Sequence, residues 1–338
     1  MTRTISRRKI LAALGAAMAA WPLPARTQQP GRVFRIGWFF SSTPLEQMAG
    51  PDPIIPVGRT FVHALRELGY VEGHNLVLER RSAEGKFELI PKIAAELVSR
   101  NPDVIVTGSG NKLAQELQRV TESVPIVIPD SDDPVGAGLV ESLARPGTNV
   151  TGFSADAGPG IESKRLELLK EAVPNSTRVA VLATKEVWQS SIGRQLRSAA
   201  QIMGLTLVHA EHFPDSYDGA FALIVRDHPD ALVVTRHAAN YVNRQLIANF
   251  ALGQKLPAIY PYKANALDGG MMSYAVDEID LFYRTAVLVD KILRGTNPAD
   301  IPIEQPSKFE LVIDLKTASA VGINMPLTLL TFANEVIE

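Results

Sequence analysis

"DVIVTGSGNKLAQELQRVTESVPIVIPDSDD", residues 103–133, is the stretch whose reading decides the fold. Val104 to Thr107 form a short apolar, β-branched run, and a glycine-punctuated turn follows it. A helix-like segment begins at Asn111, and a second apolar run covers Ile126 to Ile128. Runs with no polar alternation are what parallel strands covered on both faces require, and a helix between two of them is the βαβ unit. The second strand ends in Asp130, Asp132 and Asp133, with no lysine or arginine beside them in the chain.

Working outward, the same alternation recurs. "FRIGWFF" (34–40) and "NLVLERRSAEG" (75–85) read as strands, and Phe61, Leu65 and Leu68 share one face of a helix between them. "KFELIPKIAAELVSRNP" reads as a helix on the spacing of Ile90, Ile93, Ala94 and Leu97, and "GAGLVESLARPGTN" (136–149) as a helix closed by its Pro-Gly stop. The pattern then restarts, with "RVAVLATK", "LTLVHAEHF", "DALVVTR" and "LPAIYPY" as strands alternating with helices. Four strand-helix units on each side of about residue 150 predict an α/β protein of two doubly wound, parallel-sheet lobes. Past residue 265, "GGMMSYAVDEIDLFYRTAVLVDKILRG" supplies a strand and a long helix. "FELVIDLKTASAVG" supplies another strand and helix, and "PLTLLTFANEVI" a last helix. Two lobes already complete cannot each absorb these, so the chain is expected to cross back and make a multi-strand hinge. The expected division is residues 33–150 plus about 275–305 in the first lobe, and 151–274 plus about 306–338 in the second.

The chain opens with a basic stretch (Arg3, Arg7, Arg8, Lys9), an apolar run from Ile10 to Trp21 and small residues before Thr27. That is the layout of a secretory signal peptide over residues 1–27, too short in its apolar part to span a bilayer as a helix. "SRRKIL" resembles a twin-arginine export motif, with isoleucine where phenylalanine is preferred. Removing the leader removes five basic groups and takes the formal charge from −2 to −7, leaving no basic stripe for nucleic acid. There is no cysteine, so disulfides and a lipid anchor on cysteine are not expected. An exported protein of this kind is expected in the periplasm, and as a monomer.

Five blocks carry a resemblance: "ALRELGYVEGHNLVLERRSAEG", "DDPVGAGLVESLARPGTNVTGFS", "KRLELLKEAVPNSTRVAVL", "GGMMSY" and "QPSKFELVIDLKTASAVGI". Together they resemble the ABC-transporter substrate-binding protein family, in the branch with the type I periplasmic-binding fold that includes tryptophan- and tyrosine-binding members. The resemblance runs from about Arg35 to Glu338. It implies a receptor that captures a small molecule, an amino acid or an aromatic or carboxylate-type metabolite, and delivers it to an inner-membrane permease with its cytoplasmic ATPase. A ligand sensor that presents its closed form to a membrane receptor is the alternative, since both need only a closed-state surface.

Ligands of open α/β sheets bind outside the carboxyl ends of strands, beside helix N-termini. In the first lobe those ends are Ser41, Ser42 and Thr43, then Ser109, Gly110 and Asn111, then Asp130 and Ser131. The backbone N–H groups and Ser109 hydroxyl of "TGSGN" suit a ligand carboxylate, with helix capping by Ser109 or Asn111 as the other reading. Asp130 is the candidate receiver of a ligand's ammonium, whereas Asp133 reads as the cap of a helix starting at Pro134. In the second lobe the candidates are Ser154 and Asp156 after the crossover, Trp188, Arg236 with His237, and Tyr260 with Tyr262. The aromatics suit stacking on a planar ligand, and Arg236 a carboxylate clamp. There is no G-x-S-x-G, H-E-x-x-H, G-x-G-x-x-G, P-loop or cysteine nucleophile, so no enzyme, cofactor or metal is expected. His209 and His212 fall on a predicted strand at positions facing opposite ways, which is no metal site.

Overall fold

The computed structural model describes residues 32–108, 110–154 and 160–338. The leader, Ser109 and Asp156 therefore lie outside the described residues. Among those described, the strands in chain order are β1 (Phe34–Phe40), β2 (Leu76–Ser82), β3 (Val104–Thr107), β4 (Ile126–Ser131), β5 (Val150–Ser154), β6 (Arg178–Ala183), β7 (Thr206–Glu211), β8 (Ala231–Val234), β9 (Ala258–Tyr260), β10 (Met272–Val276), β11 (Phe309–Asp314) and β12 (Glu335–Ile337). They form a five-stranded sheet in the order β2-β1-β3-β4-β5 and a seven-stranded sheet in the order β12-β11-β10-β9-β8-β6-β7. Every neighbour in the first sheet is parallel. In the second, β10 and β11 run antiparallel and the rest are parallel.

Each sheet buries both faces, which is why its central strands are apolar throughout. On β1, Ile36 and Trp38 pack with Phe61, Leu65, Phe282 and Val289, while Phe39 joins Ile90, Leu97, Ile105 and Leu117 on the other face. In the second lobe, Val179 and Val181 of β6 meet Leu166 and Leu196, and Ala180 and Leu182 meet Ala220, Ile224 and Ile247. The helix Glu278–Leu293 leaves the second sheet after β10 and buries Leu281, Phe282, Val289 and Ile292 in the first lobe against the helix Pro56–Glu67.

The chain crosses between the sheets after Ser154, at Asp277, and between Glu304 and Phe309. These segments bond to one another. Ser154 N donates to Glu304 O at 2.8 Å, Glu304 N to Gly152 O at 3.0 Å, and Asp277 N to Lys308 O at 3.0 Å. The result is the hinge of several strands expected from the surplus elements.

Three features differ from the sequence reading. No helix forms over 136–145: turns occupy that stretch, with Gly138 at φ +71° and prolines at 134 and 146. The Asp133 side chain accepts from Gly136 N at 2.7 Å, so it caps a turn and not a helix. Residues 151–154, read as lying past the crossover, pair with β4 in the first sheet. Finally, β12 follows the last helix and pairs with β11, an edge strand too short to be read from its pattern.

Candidate ligand-binding site

The carboxyl ends of both sheets face a shared cleft of about 1400 Å³. Its first-lobe wall begins where β1 ends, at Phe40 to Thr43, whose backbone is tied to the β2 end. Ala83 N donates to Phe40 O at 3.0 Å and Gly85 N to Ser41 O at 2.9 Å. Beyond β3 the chain presses against Phe40, so closely that a Cβ on Gly108 would lie 2.9 Å from its ring. Gly110, at φ +93°, turns the chain into the helix Asn111–Gln118 and donates its N–H to Asp130 O at 2.7 Å. Ser131 Oγ donates to Asn111 Oδ1 at 2.5 Å, so Asn111 is engaged with β4 and provides no cap to its own helix.

Asp130 occupies an irregularity. Ile128 pairs with Gly152 and Ser131 with Ser154, so β4 has one residue more than β5 over this interval. Such a bulge re-aims a side chain, and Pro129 inside it needs no N–H partner. Gly152 accommodates the bulge at φ +141°, where a Cβ would fall 2.0 Å from Ile128 O.

The second-lobe wall follows the same logic. Thr184 caps the helix Lys185–Gln189, Val187 N donating to its Oγ1 at 3.3 Å. Glu211 ends β7 and His212 follows it, Arg236 and His237 follow β8, and Tyr262 follows β9. At the hinge, Asp277 caps the helix Glu278–Leu293 by accepting from Asp280 N at 2.9 Å, which sets Glu278 on the cleft wall.

The walls meet through charge. The Arg236 guanidinium donates from the second lobe to Asp130 of the first, and both side chains are buried. The same guanidinium lies 3.4 Å from Asp132 and 5.3 Å above the Tyr262 ring. Tyr241 meets Tyr262 edge-on at 5.2 Å. Burial pushes the Asp130 carboxyl up to about 6 despite Arg236, and raises Asp132 as well. It pushes Glu278 up to about 7, again against the attraction of Arg236. Burial opposes the charge on Arg236, yet Asp130, Asp132 and Glu278 together hold its pKa well above the ordinary value. Two carboxylates thus contact one guanidinium, a third acts on it through space, and that third, Glu278, has no ion pair among the described residues.

Of the residues named from the sequence, Ser41, Ser42, Thr43, Gly110, Asn111, Arg236, His237 and Tyr262 line this cleft. Asp130 lies behind Arg236, 1% exposed, and the arginine read as a free carboxylate clamp is already engaged by it. Ser131 and Ser154 are buried in the first sheet, and Tyr260 in the second-lobe core. Trp188 stacks on His209 with ring centroids 4.6 Å apart and sits under Arg197, outside the lining. Sequence reasoning missed Glu278, His212, Tyr241 and Phe282 as lining residues. An acid opening a helix beside the hinge was the available signal for Glu278.

The comparisons with known proteins agree on one architecture. The chain is 27% identical over 264 residues to a tyrosine-binding protein of Clostridioides difficile strain R20291, covering 78% of this chain and 75% of that protein. A conserved domain protein from Vibrio cholerae is 25% identical with a TM-score of 0.82, covering 90% of this chain and all of that one. An ABC domain in complex with L-Trp from Streptococcus pneumonia is 23% identical with a TM-score of 0.80, over the same shares of the two chains. The fold is the type I periplasmic-binding fold. The family model for ABC transporter substrate binding proteins matches residues 56–337, and the chain belongs to that family.

Proposed function

We propose that this protein is the solute-binding component of an ABC importer and that its ligand is an amino acid with an apolar or aromatic side chain. One observation carries the ligand class: Asp130 and Asp132 both engage the Arg236 guanidinium, and Glu278 stands on the same cleft wall without an ion pair among the described residues. The surplus negative charge is complementary to an ammonium, and a charge-assisted bond to Glu278 or Asp132 would offset their desolvation. Phe40, Ile55, Val57 and Phe282 on one wall, with Tyr241 and Tyr262 on the other, suit the side chain. The ligand's carboxylate goes to the strand-end backbone amides, because Arg236 is engaged. The tyrosine-binding name of the C. difficile relative points the same way.

The ligand binds without conversion, the lobes close on it about the three-segment hinge, and a permease takes it from the closed form. The leader read over residues 1–27 supports a periplasmic location for the mature chain. No helix among the described residues is long and apolar enough to cross a membrane. A thermal-shift screen of the mature protein against the twenty amino acids and matched aromatic acids tests the reading. Amino acids at one hundred times Kd should add about 2.7 kcal/mol of stability. A screen in which only acids lacking an amino group raise the melting temperature would refute it.

A further inference from the structure

Beside Arg236 the cleft holds two histidines in opposite hydrogen-bonding states. His212 is 2% exposed, and its Nδ1 lies 3.1 Å from the carbonyl oxygen of Phe213. That oxygen can only accept, so Nδ1 carries the ring hydrogen and Nε2 remains a lone-pair acceptor. Nε2 is buried and has no partner among the described residues. Burial lowers the His212 pKa to about 4, so the ring stays neutral in this tautomer at ordinary pH. In His237 the roles are reversed. Ala239 N donates to Nδ1 at 3.1 Å, which leaves the hydrogen of the neutral ring on Nε2. The two rings meet edge-on with centroids 6.1 Å apart, and both line the cleft.

The His212 ring is also held in place. It stacks on Tyr217 at 4.5 Å, whose hydroxyl donates to Asn240 Oδ1 at 2.9 Å. Asn240 in turn donates to Thr235 O at 2.9 Å. A fixed, buried acceptor without a donor is costly, and such groups in folded proteins are nearly always satisfied.

We propose that His212 and His237 form a subsite that reads a hydroxyl at the far end of the ligand's side chain, which donates to His212 Nε2 and accepts from His237 Nε2–H. A hydroxyl does both, whereas an indole N–H only donates and an ether or carboxylate oxygen only accepts. A site built to bond a hydroxyl discriminates strongly against the analogue that lacks it, because its own polar groups are then left unpaired. The inference rests on the amino-acid reading above and deepens it.

The test is calorimetric titration of the wild type, His212→Phe and His212→Gln with L-tyrosine, L-phenylalanine and 4-methoxy-L-phenylalanine. The wild type should prefer tyrosine over phenylalanine by at least about tenfold and should also disfavour the methoxy compound, which cannot donate. His212→Phe should bring the tyrosine-to-phenylalanine ratio near one, and His212→Gln, which retains an acceptor, should keep part of the preference. A merely structural role would weaken both ligands together and leave the ratio alone. Equal wild-type affinities, or a ratio that neither variant moves, would overturn the inference and leave the amino-acid reading standing. If none of the three binds the wild type, that reading fails and takes the inference with it.

Discussion

Asp130 and Arg236 show how a residue's role depends on what the fold brings beside it. In the chain the three acids from 130 to 133 have no basic neighbour, and the arginine that answers them is more than a hundred positions away on the other lobe. That pairing could not be read from the sequence. Because it joins the lobes, its loss should act on closure more than on folding, since an open cleft would let water reach the unpaired partner. Asp130→Asn is expected to weaken ligand affinity by about 10–100-fold, with the midpoint of chemical unfolding nearly unchanged. Measuring both separates the cases, and a large loss of stability at unchanged affinity would contradict the assignment. Glu278 makes a pH prediction. Its folded pKa is raised from 4.5 to about 7, so the folded protein binds more protons than the unfolded one across that window. Stability without ligand therefore falls as pH rises from about 4.5 to 7. Glu278→Gln should flatten the slope and stabilise the free protein at pH 8 by roughly 1–3 kcal/mol, while weakening amino-acid binding. Melting curves at several pH values check the first, and titration the second.

At the scale of elements, most of the fold was legible because buried parallel strands have a distinctive composition. The runs at 104–107, 178–183 and 231–234 became central strands, and the surplus strand and long helix after residue 270 did signal a return between lobes. The helix expected after Asp133 did not form. Pro134, Gly136, Gly138 and Pro146 together favour turns over a helix read from a short apolar run, a cap at Asp133 and a Pro-Gly stop. Pro129 inside β4 was a readable sign of a bulge, and the bulge is what turns Asp130 toward the second lobe. Gly152 should therefore be intolerant: Gly152→Ala places a Cβ against Ile128 O at a φ that side chains rarely adopt. Destabilisation of about 2 kcal/mol or more in equilibrium unfolding is expected, and ligand affinity should fall as the bulge shifts. A neutral substitution would mean that the β4–β5 pairing is looser than described.

For the whole molecule, strand-end loops converge on a cleft because both sheets direct their carboxyl ends toward it, and the site's lining was legible to that extent. Ser41 to Thr43, Gly110, Asn111, Arg236, His237 and Tyr262 line it, as loop position suggested. What position could not supply was direction: Trp188 turns into its own lobe and Tyr260 into the core. The proposed closure about three crossing segments would make ligand affinity depend on contacts formed from both walls at once. Small-angle scattering should accordingly show a smaller radius of gyration when a bound amino acid saturates the protein, and an unchanged radius would speak against a moving hinge. The most direct test of the central claim is calorimetric titration with L-phenylalanine, phenethylamine and 3-phenylpropionate, which differ only in the charged groups they carry. If the acids beneath Arg236 select an ammonium, the amino acid binds with micromolar affinity, the amine retains measurable binding and the acid binds at least about a hundredfold more weakly. Tight binding of 3-phenylpropionate, with the amine excluded, would contradict it.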